Sequence, residues 1–118
     1  MKWQLVVALC VLLVLAGCAG KYDALAQCMT EKGVTFYGAY WCPHCASQKE
    51  QLGNSMKFVN YVECSLPNKA GQTKICIDEA IEKYPTWHFA PGDRVQGVMT
   101  PEQLALRSGC SLTGAKST

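Results

Sequence analysis

Val34-Thr35-Phe36-Tyr37-Gly38-Ala39-Tyr40-Trp41-Cys42-Pro43-His44-Cys45 is the stretch on which the fold turns. Val34 to Tyr37 is a short β-branched and aromatic run, the composition of a buried strand. Pro43 then stands where a first helical residue would be, and a proline there costs nothing because that N–H has no partner inside a helix. Ala46 to Leu52 continues the helix and Gly53 ends it. This strand-to-helix passage puts Cys42 at a helix N-terminus and Cys45 one turn further in. Unsatisfied backbone N–H groups and the positive end of the helix dipole favour a thiolate at Cys42, the expected nucleophile. Cys45 can attack a mixed disulfide formed through Cys42 and release the partner. A protonated His44 adds a nearby positive charge that favours the reduced form, so the pair leans towards accepting electrons.

Working outward, Tyr22, Leu25 and Met29 recur at i, i+3, i+7 and predict a helix from about Tyr22 to Lys32, with Gly33 as its stop. Phe58 to Glu63 reads as a second strand, and Ile77, Ala80, Ile81 and Tyr84 form the stripe of another helix. Thr86 to Phe89 reads as a third strand, joined through Pro91-Gly92-Asp93 to a short Val95 to Val98 strand. Thr100-Pro101-Glu102-Gln103 supplies an N-cap, a first-position proline and a capping-box glutamine for a last helix running to about Ser108, closed by Gly109. This order predicts an α/β domain with a mixed sheet of about four strands and helices on both faces.

Eight cysteines in 118 residues point to an oxidising compartment. Met1 and Lys2 precede an apolar run from Trp3 to Ala16, interrupted only by Gln4. The run is shorter than the roughly 20 residues a membrane helix needs and fits the apolar part of an export signal. Leu15-Ala16-Gly17-Cys18 resembles the lipobox of bacterial lipoproteins, in which the cysteine is lipidated and the preceding bond is cut. The expectation is a signal peptide over 1–17, a lipidated tether over 18–21, one domain over 22–112 and a flexible tail over 113–118. The protein would then be extracytoplasmic, lipid-anchored to the periplasmic side of a bacterial membrane. Cleavage removes 17 of the 118 residues and leaves 101, enough for one core, and a monomer is the default. The net charge of +2 comes from basic residues scattered among acids, which gives no footprint for nucleic acid.

With Cys10 lost in the signal and Cys18 taken by lipid, Cys28, Cys64, Cys76 and Cys110 remain beside the reacting pair, and three pairings are open. Cys64 and Cys76 flank the polar segment Leu66 to Lys74, so a local Cys64–Cys76 bridge is preferred. Cys28–Cys110 would then tie the first helix to the end of the last. Both would be structural, and the sharper alternative is a second redox pair relaying electrons.

Phe36 to Cys45, together with Tyr84-Pro85-Thr86-Trp87, resembles the thioredoxin superfamily, whose fold sets a cis-proline loop against the active disulfide. Pro85 takes that place by position, with Tyr84, Thr86 and Trp41 around it. The wider set, including Tyr61-Val62-Glu63-Cys64 and Ser108-Gly109-Cys110, is similar to the thioredoxin-like domain of bacterial vitamin K epoxide reductase homologues. This resemblance implies a thiol-disulfide oxidoreductase with a redox-active disulfide and no other cofactor. It further implies transfer of disulfides to cysteine-containing exported proteins and reoxidation by a membrane vitamin K epoxide reductase homologue, with quinone as the final sink. The Pro43-His44 dipeptide resembles that of the strongly oxidising DsbA-like enzymes. Two departures stand out. The chain carries the lipobox in place of a membrane-spanning domain, and Phe36 occupies the position, six residues before the first cysteine, where related proteins bury an acid. The proton acceptor for Cys45 is therefore open.

Other readings carry less of the sequence. The same dithiol chemistry would serve an extracytoplasmic reductase or isomerase. A zinc or copper site could draw on Cys42, His44, Cys45 and His88, but His44 lies inside the pair, and Ala46 stands where a c-type haem motif needs histidine, so no metal is expected. A disulfide-stabilised binding lipoprotein would use Tyr40, Trp41 and Trp87 as a sticky surface. Trp87 and His88 fall in a strand and take no catalytic role.

Overall fold

The computed structural model describes residues 20–113, so the expected export signal, the lipidation site at Cys18 and most of the expected tail lie outside the described residues. Four strands form one mixed sheet in the order β2-β1-β3-β4: β1 is Thr35–Gly38, β2 Tyr61–Glu63, β3 Thr86–Ala90 and β4 Asp93–Gln96. β1 runs parallel to β2, while β3 is antiparallel to both β1 and β4. Among the described residues four α-helices join them: α1 (Asp23–Glu31), α2 (Pro43–Leu52), α3 (Lys74–Asp78) and α4 (Pro101–Ser108). A 3-10 turn, Gly53–Phe58, prolongs α2. This is an α/β thioredoxin-like arrangement.

Alternation along β1 divides the core. Phe36 faces one side, where Leu25 and Met29 of α1, Cys45 and Leu52 of α2, Trp87 and Leu104 pack together. Tyr37 faces the other, with Cys64, Cys76 and Ile81. Among the described residues helices thus cover both faces, with α3 alone on the Tyr37 side. Phe36 and Trp87 are cross-strand partners with stacked rings, centroids 4.7 Å apart.

Local sequence accounts for most element ends. Thr100 Oγ1 accepts from Gln103 N at 3.1 Å and Gln103 Oε1 accepts from Thr100 N at 2.9 Å, a complete capping box before Pro101. Gly109 closes α4 in the left-handed region, φ 74°. α1 has no cap of its own. Instead Ser55, from the 3-10 turn, accepts from Tyr22 N and donates to Asp23, both at 2.9 Å.

The stripe Ile77, Ala80, Ile81, Tyr84 is corrected by the structure. α3 stops at Asp78, Ala80 sits at φ 55°, and Ile77 is 58% exposed, leaving Ile81 as the buried member. The spacing joined a one-turn helix to the turn after it. The second strand is also shorter than expected, because Phe58 and its predecessors wind into the 3-10 turn.

Candidate active site

β1 ends at Gly38, and Cys42 N donates to Ala39 O at 3.1 Å, a tight turn that delivers Cys42 to the N-cap of α2. There Cys42 Sγ accepts from Cys45 N at 3.3 Å, doing what a serine or aspartate side chain does at other helix starts. Its thiol also lies 3.7 Å from Tyr84 O, the carbonyl preceding the cis Tyr84–Pro85 bond. Pro43 and His44 are exposed on the first turn, Cys42 is 6% exposed and Cys45 is fully buried. Both are free thiols in this structure. Burial, chiefly, pushes the Cys45 thiol up to about 12. A backbone hydrogen bond from Ala39 opposes that shift, the neighbouring Cys42 adds to it, and the Lys49 charge opposes it. The two cysteines therefore differ in access: Cys42 keeps a small exposed fraction, and Cys45 is fully enclosed beneath it.

A framework of side chains surrounds the pair. Trp41 Nε1 donates to Ser65 Oγ at 2.8 Å, and the Trp41 ring meets Tyr84 edge-on with centroids 6.0 Å apart. Gln72 Nε2 donates to the Tyr84 hydroxyl at 2.9 Å and to Ile81 O at 2.6 Å. Lys69 N donates to the Tyr40 hydroxyl at 3.2 Å, and its ammonium sits 5.4 Å from the Trp41 ring centre. Thr86 Oγ1 donates to Lys83 O, and Gly97 N donates to Pro85 O, which fixes the proline loop against β4. Tyr40 and Trp41 keep 53% and 40% of their surface exposed beside Cys42, an apolar margin for an approaching chain.

The structure brings Trp41, Cys42, Pro43, His44, Cys45, Tyr84, Pro85 and Thr86 to one end of the sheet, and leaves His88 in β3 opposite Thr35 and Arg94. Two disulfides lie outside the pair: Cys28–Cys110, Cα atoms 6.0 Å apart, and Cys64–Cys76, Cα atoms 5.5 Å apart. Among the described residues no group of three or more His, Cys, Asp or Glu side chains stands close enough to hold a metal ion.

Four contributors were not legible in sequence. Gln48, fully buried on α2, accepts from Trp87 Nε1 at 3.0 Å and Met99 N at 2.8 Å and donates to Met99 O at 2.9 Å. Lys49 lies 4.1 Å over the Tyr61 ring, and Tyr61 donates to Glu63 at 2.9 Å. Burial and that hydrogen bond hold the Tyr61 phenol well above its ordinary value. Glu63 also accepts from Ser65 N at 2.9 Å and Tyr40 N at 3.2 Å. The sequence signals were that Gln48 and Lys49 fall three and four residues after Cys45, and that Tyr61 and Glu63 stand in a stretch carrying the family resemblance, with no role attached to either.

Fold and site together define a thioredoxin-like domain carrying a free Cys-Pro-His-Cys dithiol at a helix start. The chain is 42% identical over 100 residues to the thiol-disulfide oxidoreductase LTO1 of Arabidopsis thaliana, a similarity covering 80% of this chain and 26% of that relative. The chain thus spans about a quarter of the relative's length. No protein-family model matches it. The relative is a plant protein, and this overturns the expectation of a lipid anchor on the periplasmic side of a bacterial membrane.

Proposed function

We propose that this chain is a thiol-disulfide oxidoreductase in which Cys42 exchanges with partner thiols and Cys45 resolves the mixed disulfide. The observation that carries the reading is the 3.3 Å contact of Cys42 Sγ with Cys45 N at the start of α2, beside the cis-proline loop. It holds one slightly exposed sulfur one helical turn from a fully buried partner. The similarity to a protein named as a thiol-disulfide oxidoreductase supports the same chemistry.

In the finer form of the proposal, the pair donates disulfides to cysteine-containing proteins folding in an oxidising compartment. A membrane vitamin K epoxide reductase homologue then takes the electrons back from Cys42 and Cys45. Supporting it are the Pro43-His44 dipeptide and two bonded cysteine pairs, which fit an oxidising setting. No cofactor is required, since the disulfide itself carries the two electrons.

The test is equilibration against glutathione, with the reacting cysteines identified by mass spectrometry. A potential well above about −200 mV on Cys42–Cys45 fits the donor; one near about −270 mV makes the chain a reductant. Cys45→Ser should accumulate a Cys42 mixed disulfide with substrate, and Cys42→Ser should form none. Absence of any reversible titration on this pair refutes the enzyme.

A further inference from the structure

Cys45 reacts only if its proton can move. Its sulfur is fully buried, and Phe36, with Trp87 stacked on it, closes the floor beneath with no acid. Burial pushes the thiol up to about 12, so in neutral water it keeps its proton unless a base takes it. One polar side chain, Tyr61, lies near enough for the charge on Cys45 to bear on its phenol. A Cβ built on Gly38 would lie 3.1 Å from Cys45 Sγ and 2.9 Å from Cε2 of Tyr61, so the sulfur and that ring carbon crowd the same side of Gly38 too closely to admit a side chain. Cε2 is bonded to the carbon that bears the hydroxyl, and the hydroxyl donates to Glu63 at 2.9 Å. Lys49, one turn further along α2 from Cys45, places its ammonium 4.1 Å from the centre of the same ring.

We propose that Tyr61 and Glu63 form the proton path of Cys45, with Glu63 accepting the proton through the Tyr61 hydroxyl and the Lys49 ammonium steadying the thiolate that results. This rests on Cys42 and Cys45 being the reacting pair. The titratable groups bearing on the buried sulfur are Cys42 at the N-cap of α2, Lys49 from α2 and Tyr61 from β2, with Glu63 behind Tyr61, while β1 and β3 contribute the uncharged Phe36 and Trp87. In the resolving step Cys45 S–H gives its proton, across a bridging water, to Tyr61 as Tyr61 gives its own to Glu63. The freed electron pair on Cys45 forms the bond to Cys42 Sγ, the Cys42–partner bond breaks, and the partner leaves as a thiolate. The dithiol loses two electrons, the partner disulfide gains them, and Glu63 returns its proton to water. In the donor direction the same path delivers a proton to Cys45.

The experiment follows the reduced full chain, carrying Cys10→Ser and Cys18→Ser so that only the pair reacts, after mixing with Ellman's reagent. The first thionitrobenzoate released reports attack by Cys42, and the second reports attack by Cys45 on the adduct. Glu63→Gln keeps an oxygen for the two backbone donors and Tyr61→Phe keeps the ring packing, so both should leave the near-ultraviolet circular dichroism and the first phase unchanged. Each should slow the second phase by about tenfold or more at neutral pH. The second phase of the parent should vary little between about pH 6 and pH 8, whereas in Glu63→Gln it should rise about tenfold per pH unit, as reaction through solvent hydroxide requires. A second phase of parental rate and pH profile in both variants overturns the proton path and leaves the reacting pair standing. Loss of the first phase in the parent overturns both.

Discussion

Cys42 and Cys45 share one helical turn but not one environment, and the difference has a thermodynamic signature. In the reduced protein the Cys45 thiol is raised from about 9 to about 12, mainly by burial. The folded state thus keeps a proton that the unfolded chain gives up, so the stabilisation is complete below pH 9 and fades as pH rises through about 12. Urea titrations of the reduced protein should show the midpoint falling across that window. Cys45→Ala should make the fall shallower, leaving the part due to Tyr37 and Tyr61, whose phenols burial also raises. Gln48 is the second residue whose effect exceeds its size. Replacing it with alanine strands Trp87 Nε1 and both polar atoms of the Met99 backbone in the core, at a cost of about 3 kcal/mol or more, measurable by the same titration. The cysteine pair could be read from sequence because its signal is consecutive: strand, proline, helix. Gln48, Lys49, Tyr61 and Glu63 could not, because each acquires its part only when α2 meets β2, β3 and the segment before α4.

At the scale of elements, legibility followed whether an end is set locally. α4 is fixed by residues within it, Thr100, Pro101, Gln103 and Gly109, and its limits match the sequence reading. Thr100→Ala should remove one arm of the capping box and cost about 1 kcal/mol, lowering the melting temperature by about 4 to 8 °C in a calorimetric scan. α3 shows the opposite. Five residues make a marginal helix by themselves, and its place is set by the bond from Cys76 to Cys64 and by Thr73, whose hydroxyl donates to Glu63 O and whose N–H donates to Cys64 O. A hydrophobic stripe cannot announce a helix whose position depends on a bond to a distant strand. The 3-10 turn after α2 was similarly hidden, since its purpose is tertiary: Ser55 reaches back to cap α1, and Phe58 O accepts from Thr30.

For the whole molecule the two bridges differ mainly in how much chain they close. Cys28–Cys110 spans 82 residues and Cys64–Cys76 spans 12. By the loop-entropy estimate the long bridge contributes about 4.5 kcal/mol and the short one about 3 kcal/mol. Replacing both cysteines of the long bridge by alanine should therefore lower the urea midpoint more than the same change at the short bridge. The short bridge sits closer to the reacting pair, because Cys64 directly follows the Tyr61–Glu63 strand and directly precedes Ser65, which holds Trp41. Removing it should slow thiol exchange more than it lowers stability, a contrast visible when both are measured on one preparation. The same sheet also has two open margins, β2 and β4. β2 offers only three residues, and the four of β4 carry Asp93 and Arg94, tied to Arg107 and Glu79. A foreign strand seeking to extend the sheet finds a ledge too short on one side and a picket of charge on the other. In the proposed function, unfolded cysteine-bearing chains would thus meet the protein at its sulfur without being recruited into its sheet as aggregates.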